Sequence, residues 1–347
     1  MSNIRFKDYL KDYLEYNNIT NKDFANRIGI TPKHLIDILS GERDLSSNII
    51  ESISIITNIP MDYIYKIESN YRMERKILEY LDREKLTLTE YLKKYEYKYL
   101  IKNKFIEFID KDNNMEIAKD ILKFLRVTEP ETVFSIDSTA YYKSKNDKPE
   151  LLLLWLEKCY RKIINQNVGI YKKENIDAII NYIRECAKSG VFDEEKLTEI
   201  MNENGIYFTM QEDIPGSKIR GAFKVHRDIP AIYLTYKHKR IADIYFALLH
   251  ELAHCKSDFN KAKGTCLVSS QNDETTTDVE DKADIQAYNW MVEENYYNNV
   301  CKSINYDIHE ETEYPKSFVL YRLAHDGEIE YRDSDYQKYN FIINKNK

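Results

Sequence analysis

The first part of the chain carries apolar residues at helical spacing. Between Ile4 and Tyr16 they recur every three or four positions, the pattern of a helix with one buried face. Thr20 and Thr31 each precede a short helical run as N-cap residues, and Gly29 stands between the two runs, where the chain must turn. This pattern predicts that residues 1–68 fold as one compact helical domain.

The remaining pattern divides the chain into further regions. A helix over 46–57 and a last turn at 61–64 complete the first domain. Residues 69–205 are predicted to be a helical linker or scaffold without catalytic motifs. Residues 206–300 combine short strands with long helices, and 301–347 form a C-terminal extension that packs on them. The strands are predicted at residues 206–210, 220–225 and 231–235. The expected fold is mainly α with a small β-sheet.

Two short helices joined by a glycine turn form the helix-turn-helix pattern. Residues 20–31 and 38–43 closely resemble the Cro/cI-type (XRE) family. The resemblance implies that the second helix enters the major groove of a double-stranded DNA operator. Its buried face is expected to contain Leu35, Ile36 and Ile38. The residues expected to contact DNA are Thr31, Lys33, His34 and Asp37 on this helix, Arg43 after it and Asn21 before it, where the family usually has glutamine.

Charge limits what this domain can do alone. Residues 1–66 contain eight Lys or Arg against nine Asp or Glu, and the whole chain has a net charge of −7. Affinity for DNA phosphates comes mostly from basic side chains. We therefore expect weak DNA binding by one copy and stronger binding by a homodimer. The alternative is a helix-turn-helix that serves only protein contacts.

A second motif, His250-Glu251-Leu252-Ala253-His254, lies in the C-terminal third. On a helix its two histidines share one face, and their spacing suits two ligands of tetrahedral zinc. Glu251 can reach a water molecule at the metal without binding the metal itself. The alternative is a pair of histidines packed in a core.

The helical stretch from residue 279 to 291 can supply the third ligand. Glu280 and Asp284 are one turn apart beside the small Ala283, which allows a close helix approach. We expect Glu280 to bind Zn²⁺ and Asp284 to accept a hydrogen bond from a ligating histidine. Asp281, about 100° away on the helix, is the competing carboxylate.

The later motifs together resemble the ImmA/IrrE metallopeptidase family. They are Gly221-Ala222-Phe223, residues 231–235, the histidine motif, Glu280-x-x-Ala283-Asp284 and residues 314–325. The resemblance implies a gluzincin-like zinc site, with His250, His254 and Glu280 as ligands and Glu251 as general base. The chain departs from the family at Lys282, Ile285 and Gln286, which affects helix packing and leaves the ligand set intact.

These motifs imply peptide hydrolysis. The strand at 231–235 is expected to hold the substrate by backbone pairing. The candidates for a group that stabilises the transition state are Tyr236, His238 and His325. Longer family members join the same two domains, and many are phage-type regulators or HigA-like antitoxins. The leading hypothesis is thus a regulator that cleaves a repressor or partner protein. The alternatives are an antitoxin that mainly grips a toxin and a degenerate peptidase that acts as a sensor.

Three features of the sequence bear on where in the cell the protein is expected. No apolar run approaches the ~20 residues that span a bilayer, and the first residues are charged and amphipathic. The five cysteines form no C-x-x-C pair, which favours free thiols in a reducing compartment. We therefore expect a cytoplasmic protein with no membrane partner.

Overall fold

The computed structural model describes residues 5–135, 148–237, 239–264, 266–270, 278–303 and 314–343. The chain divides into two compact units. The first contains residues 1–92 and 107–133, and the second contains residues 93–106 and 134–347. None of the described helices combines the length and the apolar character needed to cross a bilayer. The predicted class, mainly α with a small β-sheet, is confirmed.

The first unit begins with four short helices whose ends the sequence predicts well. They are α1 (Phe6–Tyr16), α2 (Asn21–Arg27), α3 (Pro32–Ser40) and α4 (Ser47–Thr57). The side chain of Thr20 accepts the backbone N–H of Asp23, and that of Thr31 accepts the N–H of His34. Gly29 lies at a φ of 73°, a left-handed conformation that favours glycine. The predicted caps and turn are therefore confirmed.

The core of these helices confirms most of the predicted inward positions. Leu35 and Ile38 of α3 are buried against residues from the other three helices. These are Phe6, Leu10, Phe24, Ala25, Ile50 and Ile53. Ile36 is a correction, because its side chain is 51% exposed and does not face this core. It lies between the two buried positions on a helix of nine residues, where only one face meets the neighbouring helices.

The fifth helix continues well past the turn predicted at 61–64. Helix α5 runs from Met61 to Arg83 without glycine or proline in its interior. Its residue Glu68 is 1% exposed and accepts hydrogen bonds from the backbone of Phe6, at 3.0 Å, and from the guanidinium of Arg5, at 3.4 Å. This buried carboxylate therefore joins α5 to the start of α1.

The first unit is completed by helices that pack further along α5. They are α6 (Leu88–Lys94), whose last two residues belong to the second unit, and α8 (Asn114–Phe124). Helix α7 (Tyr97–Lys102) belongs wholly to the second unit. Lys119 of α8 is fully buried, and its ammonium lies 2.8 Å from Glu74 of α5 and 2.5 Å from Glu116. A buried lysine needs such partners, because an unpaired charge away from water is strongly unfavourable.

The second unit is built around a four-stranded sheet. Its strands are β1 (Tyr207–Gln211), β2 (Ile219–His226), β3 (Ile229–Thr235) and β4 (Cys266–Ser270), in the order β1-β3-β2-β4. β1 runs parallel to β3, while β2 is antiparallel to both β3 and β4. The three predicted strands are confirmed, and β4 is an addition.

Helices surround this sheet. Before it come α9 (Pro149–Ile163), α10 (Ile176–Ser189) and α11 (Glu194–Glu203). After it come α12 (Ile241–Ser257), α13 (Asp278–Met291), α14 (Glu294–Lys302), α15 (Lys316–His325) and α16 (Ser334–Tyr339). Helix α12 packs on β2 and β3 and against α13, so it lies at the centre of the unit. Its residues are buried over almost the whole length, which places the histidine motif in the core.

Candidate functional site

The motif on α12 is buried, although all three of its functional side chains are polar. His250, Glu251 and His254 are 6%, 1% and 1% exposed. Their neighbours Leu249, Leu252 and Ala253 belong to the main apolar core. Buried polar groups need partners, so such a cluster inside a core requires a specific arrangement around it.

The structure brings the three predicted ligands together. The Nε2 atoms of His250 and His254 are 3.1 Å apart. The carboxylate of Glu280 lies 3.2 Å from Nε2 of His250 and 3.4 Å from Nε2 of His254. Ligand atoms bound at 2.0–2.1 Å to one tetrahedral zinc ion lie about 3.3 Å from one another. The separations and the donor types of these three residues therefore fit a zinc ion.

The other ring nitrogen of each histidine faces a carboxylate. Nδ1 of His250 lies 2.7 Å from Oδ1 of Asp284, as predicted for a residue that orients a ligand. Nδ1 of His254 lies 3.2 Å from Oδ2 of Asp258, a residue that the sequence analysis missed. Asp258 follows His254 by four positions, so helical spacing contained the signal. With both Nδ1 atoms occupied, both Nε2 atoms remain for the centre of the cluster.

These contacts shift the protonation of the cluster. Burial by itself would lower the pKa of His250, but hydrogen bonds to Asp284 and Glu280 outweigh it and raise the pKa to about 10. The pKa of His254 is also raised, since hydrogen bonds to Asp258 and Glu280 outweigh burial. Burial would raise the pKa of Glu280, but its two histidine partners lower it to about 2. The cluster thus favours positive charge at its centre, whether from protons or from a metal ion.

Helix α13 presents Glu280 because its small residues allow close packing. Ala283 and Ala287 are buried where α13 meets the core. Asp281 is exposed, in agreement with the preference for Glu280 over Asp281 as the ligand. The chain's departures at Lys282 and Ile285 lie on the exposed face of α13 and leave the cluster untouched.

Gly221 of β2 provides the space for Glu251. A Cβ atom at this position would lie 2.5 Å from Oε1 of Glu251 and 3.0 Å from Cδ2 of Leu234. Both distances are below normal contact, so any side chain here would displace the carboxylate. The absence of a side chain at Gly221 therefore lets Glu251 lie against the backbone of the sheet.

We expect Gly221→Ala to lower the free energy of unfolding by about 1–3 kcal/mol, because the extra methyl group overpacks a buried site. Urea unfolding followed by circular dichroism measures the change. The double variant with Glu251→Ala should recover part of the loss, because the shortened side chain vacates the contested space. Equal losses in the single and double variants would contradict the contact.

The three candidates for a group that stabilises the transition state have different positions. The hydroxyl of Tyr236 donates a hydrogen bond to Glu194 of α11. His238 lies outside the described residues. The ring of His325 lies 4.7 Å from that of Tyr288 on α13, one turn beyond Asp284. His325 therefore lies against the helix that carries Glu280.

The strand predicted to hold a substrate is unsuitable, and this is a correction. Residues 231–235 lie in β3, which pairs with β1 on one side and with β2 on the other. Its backbone groups are therefore engaged within the sheet. A peptide can extend a sheet only at a strand with a free edge.

The residues that the sequence assigned to DNA contact, on α3 and beside it, are exposed or half-buried. Thr31 and Lys33 are exposed at the start of α3, and His34 is half-buried one position later. The loop residue Arg43 and the first residue of α2, Asn21, are also exposed. Asp37 is half-buried on α3. These side chains are accessible to a nucleic acid without rearrangement of the helices.

Comparison with known proteins identifies this part of the chain. Residues 10–64 match a protein-family model described as helix-turn-helix. The comparison with curated proteins and the comparison with solved structures each gave no match. The matched residues include α2 and α3 with their caps, and they end well before the histidine motif on α12. The N-terminal part of the chain is therefore an XRE-type helix-turn-helix, the kind of domain with which transcriptional regulators bind DNA.

Proposed function

We propose that this DNA-binding regulator also hydrolyses a peptide bond in a repressor or other partner protein, with one zinc ion held by His250, His254 and Glu280. The observation that carries the proposal is the convergence of two Nε2 atoms and one carboxylate within 3.4 Å of one another, next to a buried Glu251. A packed pair of core histidines accounts less well for a carboxylate directed at both rings. Metal analysis of the purified chain tests the proposal, with about one zinc per chain expected.

The chain's own residues account for the proton transfers of such a reaction. A bound zinc ion would supply Lewis acidity and make the attacking water more acidic. The carboxylate of Glu251, fixed against Gly221, would accept a proton from that water and pass it to the leaving amine. Asp284 and Asp258 would keep the histidine rings in the tautomers that place Nε2 at the ion.

The sheet edge at β4 is the better candidate for the substrate. At the opposite edge, side chains from α9 and from the residues just after it donate hydrogen bonds to backbone carbonyls of β1. Lys162 donates to the carbonyl of Met210 at 2.8 Å, and Gln166 donates to the carbonyl of Phe208 at 2.7 Å. Within the described ranges, β4 pairs with β2 alone, through Ser269 opposite Gly221 among others. A peptide that paired with β4 would therefore be separated by this one strand from Gly221 of β2, the residue that contacts Glu251.

DNA recognition by α3 gives a separate test. The double substitution Lys33→Ala with His34→Ala should weaken operator binding by about tenfold or more, because contacts to bases are worth ~1–3 kcal/mol each. Fluorescence anisotropy at fixed salt measures the affinity. Lys66→Ala on α5 removes the same charge from an exposed site outside α3 and should have a smaller effect. Unchanged affinity in the double variant would show that α3 does not contact the operator.

A further inference from the structure

We propose that Asp258 is the main positioning residue of the metal cluster, and that its loss weakens zinc binding more than the loss of Asp284. The inference rests on the proposed function, since it concerns the same cluster. Both carboxylates face the Nδ1 atom of a histidine, but their surroundings differ. The difference lies in burial, in the number of other partners and in the helix that carries each residue.

Asp258 has hydrogen-bond partners for both carboxylate oxygens and for its backbone N–H and carbonyl groups. Its side chain is 7% exposed, and its two carboxylate oxygens have separate partners. Oδ2 faces His254, while Oδ1 accepts a hydrogen bond from the ammonium of Lys261 at 2.7 Å. Its backbone N–H donates to the carbonyl of His254 at 2.7 Å, and its carbonyl accepts the N–H of Lys261 and that of Ala262, each at 2.9 Å. This turn at the end of α12 therefore fixes the carboxylate relative to the histidine that it orients.

Asp284 is held less firmly, although its hydrogen bond is the shorter of the two. Its side chain is 41% exposed, and it lies on α13 rather than on the helix of the histidine that it contacts. Water can reach Nδ1 of His250 when this carboxylate is removed, and a water molecule can replace much of a lost hydrogen bond. Asp258 is much less exposed, so water has less access to Nδ1 of His254. A donor left there without an acceptor is then more unfavourable. Burial therefore outweighs the difference between 2.7 and 3.2 Å.

Orientation matters because a histidine binds a metal through only one ring nitrogen. A carboxylate at Nδ1 keeps the proton on that atom and leaves the lone pair of Nε2 for the ion. Removal of an outer carboxylate of this kind typically weakens metal binding by about 10–100-fold. For Asp258→Ala we expect a loss in this range, and for Asp284→Ala a loss of about a few fold.

Zinc competition against a chromophoric chelator measures both variants at one pH and temperature. Asp258→Asn should fall between wild type and Asp258→Ala, because its amide oxygen can still accept the Nδ1 proton. Asp177→Ala is the matched control. This aspartate pairs with Lys256 of α12 at 3.2 Å but is described in no contact with a histidine, so wild-type affinity is expected. The visible spectrum of the cobalt-substituted chain reports ligand geometry, which a merely structural role of Asp258 would not alter.

The outcomes separate this inference from the proposed function. A wild-type chain that binds no zinc overturns both. A wild-type chain that binds zinc, together with an Asp258→Ala variant of equal affinity, overturns only the inference, and so does a larger loss in Asp284→Ala. Circular dichroism of the metal-free variants checks folding. If Asp258→Ala is unfolded, Asp258→Asn decides: a loss of several fold supports the inference, and wild-type affinity with a wild-type cobalt spectrum overturns it.

Discussion

Replacing Glu280 with alanine should remove stoichiometric zinc from the purified chain. Its carboxylate lies within 3.4 Å of both Nε2 atoms and is the only described group that completes a set of three ligands with them. Two histidines alone form an incomplete site, because zinc sites in proteins have at least three protein ligands. We therefore expect a change from about one zinc per chain to a small fraction of one, measured by atomic emission after gel filtration.

Asp281→Ala is the matched control for this change. It removes a carboxylate from the neighbouring position of α13, where the side chain is exposed and points about 100° away from Glu280 around the helix. Its zinc content should equal that of the wild type. Loss of zinc in Asp281→Ala with retention in Glu280→Ala would reverse the assignment of the third ligand.

Glu251→Gln should strongly slow hydrolysis, while the fold and the zinc content should be unchanged. The amide has nearly the same shape, and Glu251 is not among the three residues whose ligand atoms converge. It cannot accept a proton from the attacking water, and loss of a general base alone slows a reaction about 10²–10⁴-fold. Cleavage of a co-purified partner, followed by mass spectrometry, measures the effect. Operator binding should be unchanged, because the helix-turn-helix belongs to the other compact unit.

The same variant distinguishes a peptidase from an antitoxin or a sensor. In an antitoxin of the HigA-like type, the C-terminal unit would neutralise its partner by binding alone. Glu251→Gln would then retain every cellular activity, including release or neutralisation of that partner. Such a result would rule out proteolysis as the function, provided that the zinc content of the variant is shown to be normal.

The ends of the first helices could be predicted because they depend on interactions between residues close in sequence. Caps such as Thr20 and Thr31 act within three residues, so their effect can be inferred from the sequence next to them. Ile36 was placed wrongly because an apolar residue was taken to face inward. Its actual exposure depends on which neighbouring helices cover α3, and that is a property of the tertiary fold.

Most of the candidate metal cluster could be predicted for the same reason, but one of its members was missed. His250 and His254 share a helix face, and Glu280 and Asp284 repeat that spacing, so each pair follows from local geometry. Asp258 obeys the same spacing but was missed, because it follows the end of the helix. The position of β3 inside the sheet could not be predicted. β3 pairs with β1, and β2 lies between these two strands in the sequence, so the pairing is not a local one.

The continuity of α5 has a consequence for the smallest fragment that can fold by itself. The helix has 23 residues and is therefore about 34 Å long, at 1.5 Å per residue. A fragment that ended at residue 68 would place a free carboxyl terminus beside the buried contact between Glu68 and Arg5 and would leave out Lys119 with its partner Glu74. A DNA-binding fragment that keeps the first unit together should accordingly extend to residue 133, and it then includes residues 93–106, which belong to the second unit. Within this fragment we expect α1 and α8 to unfold in one cooperative transition.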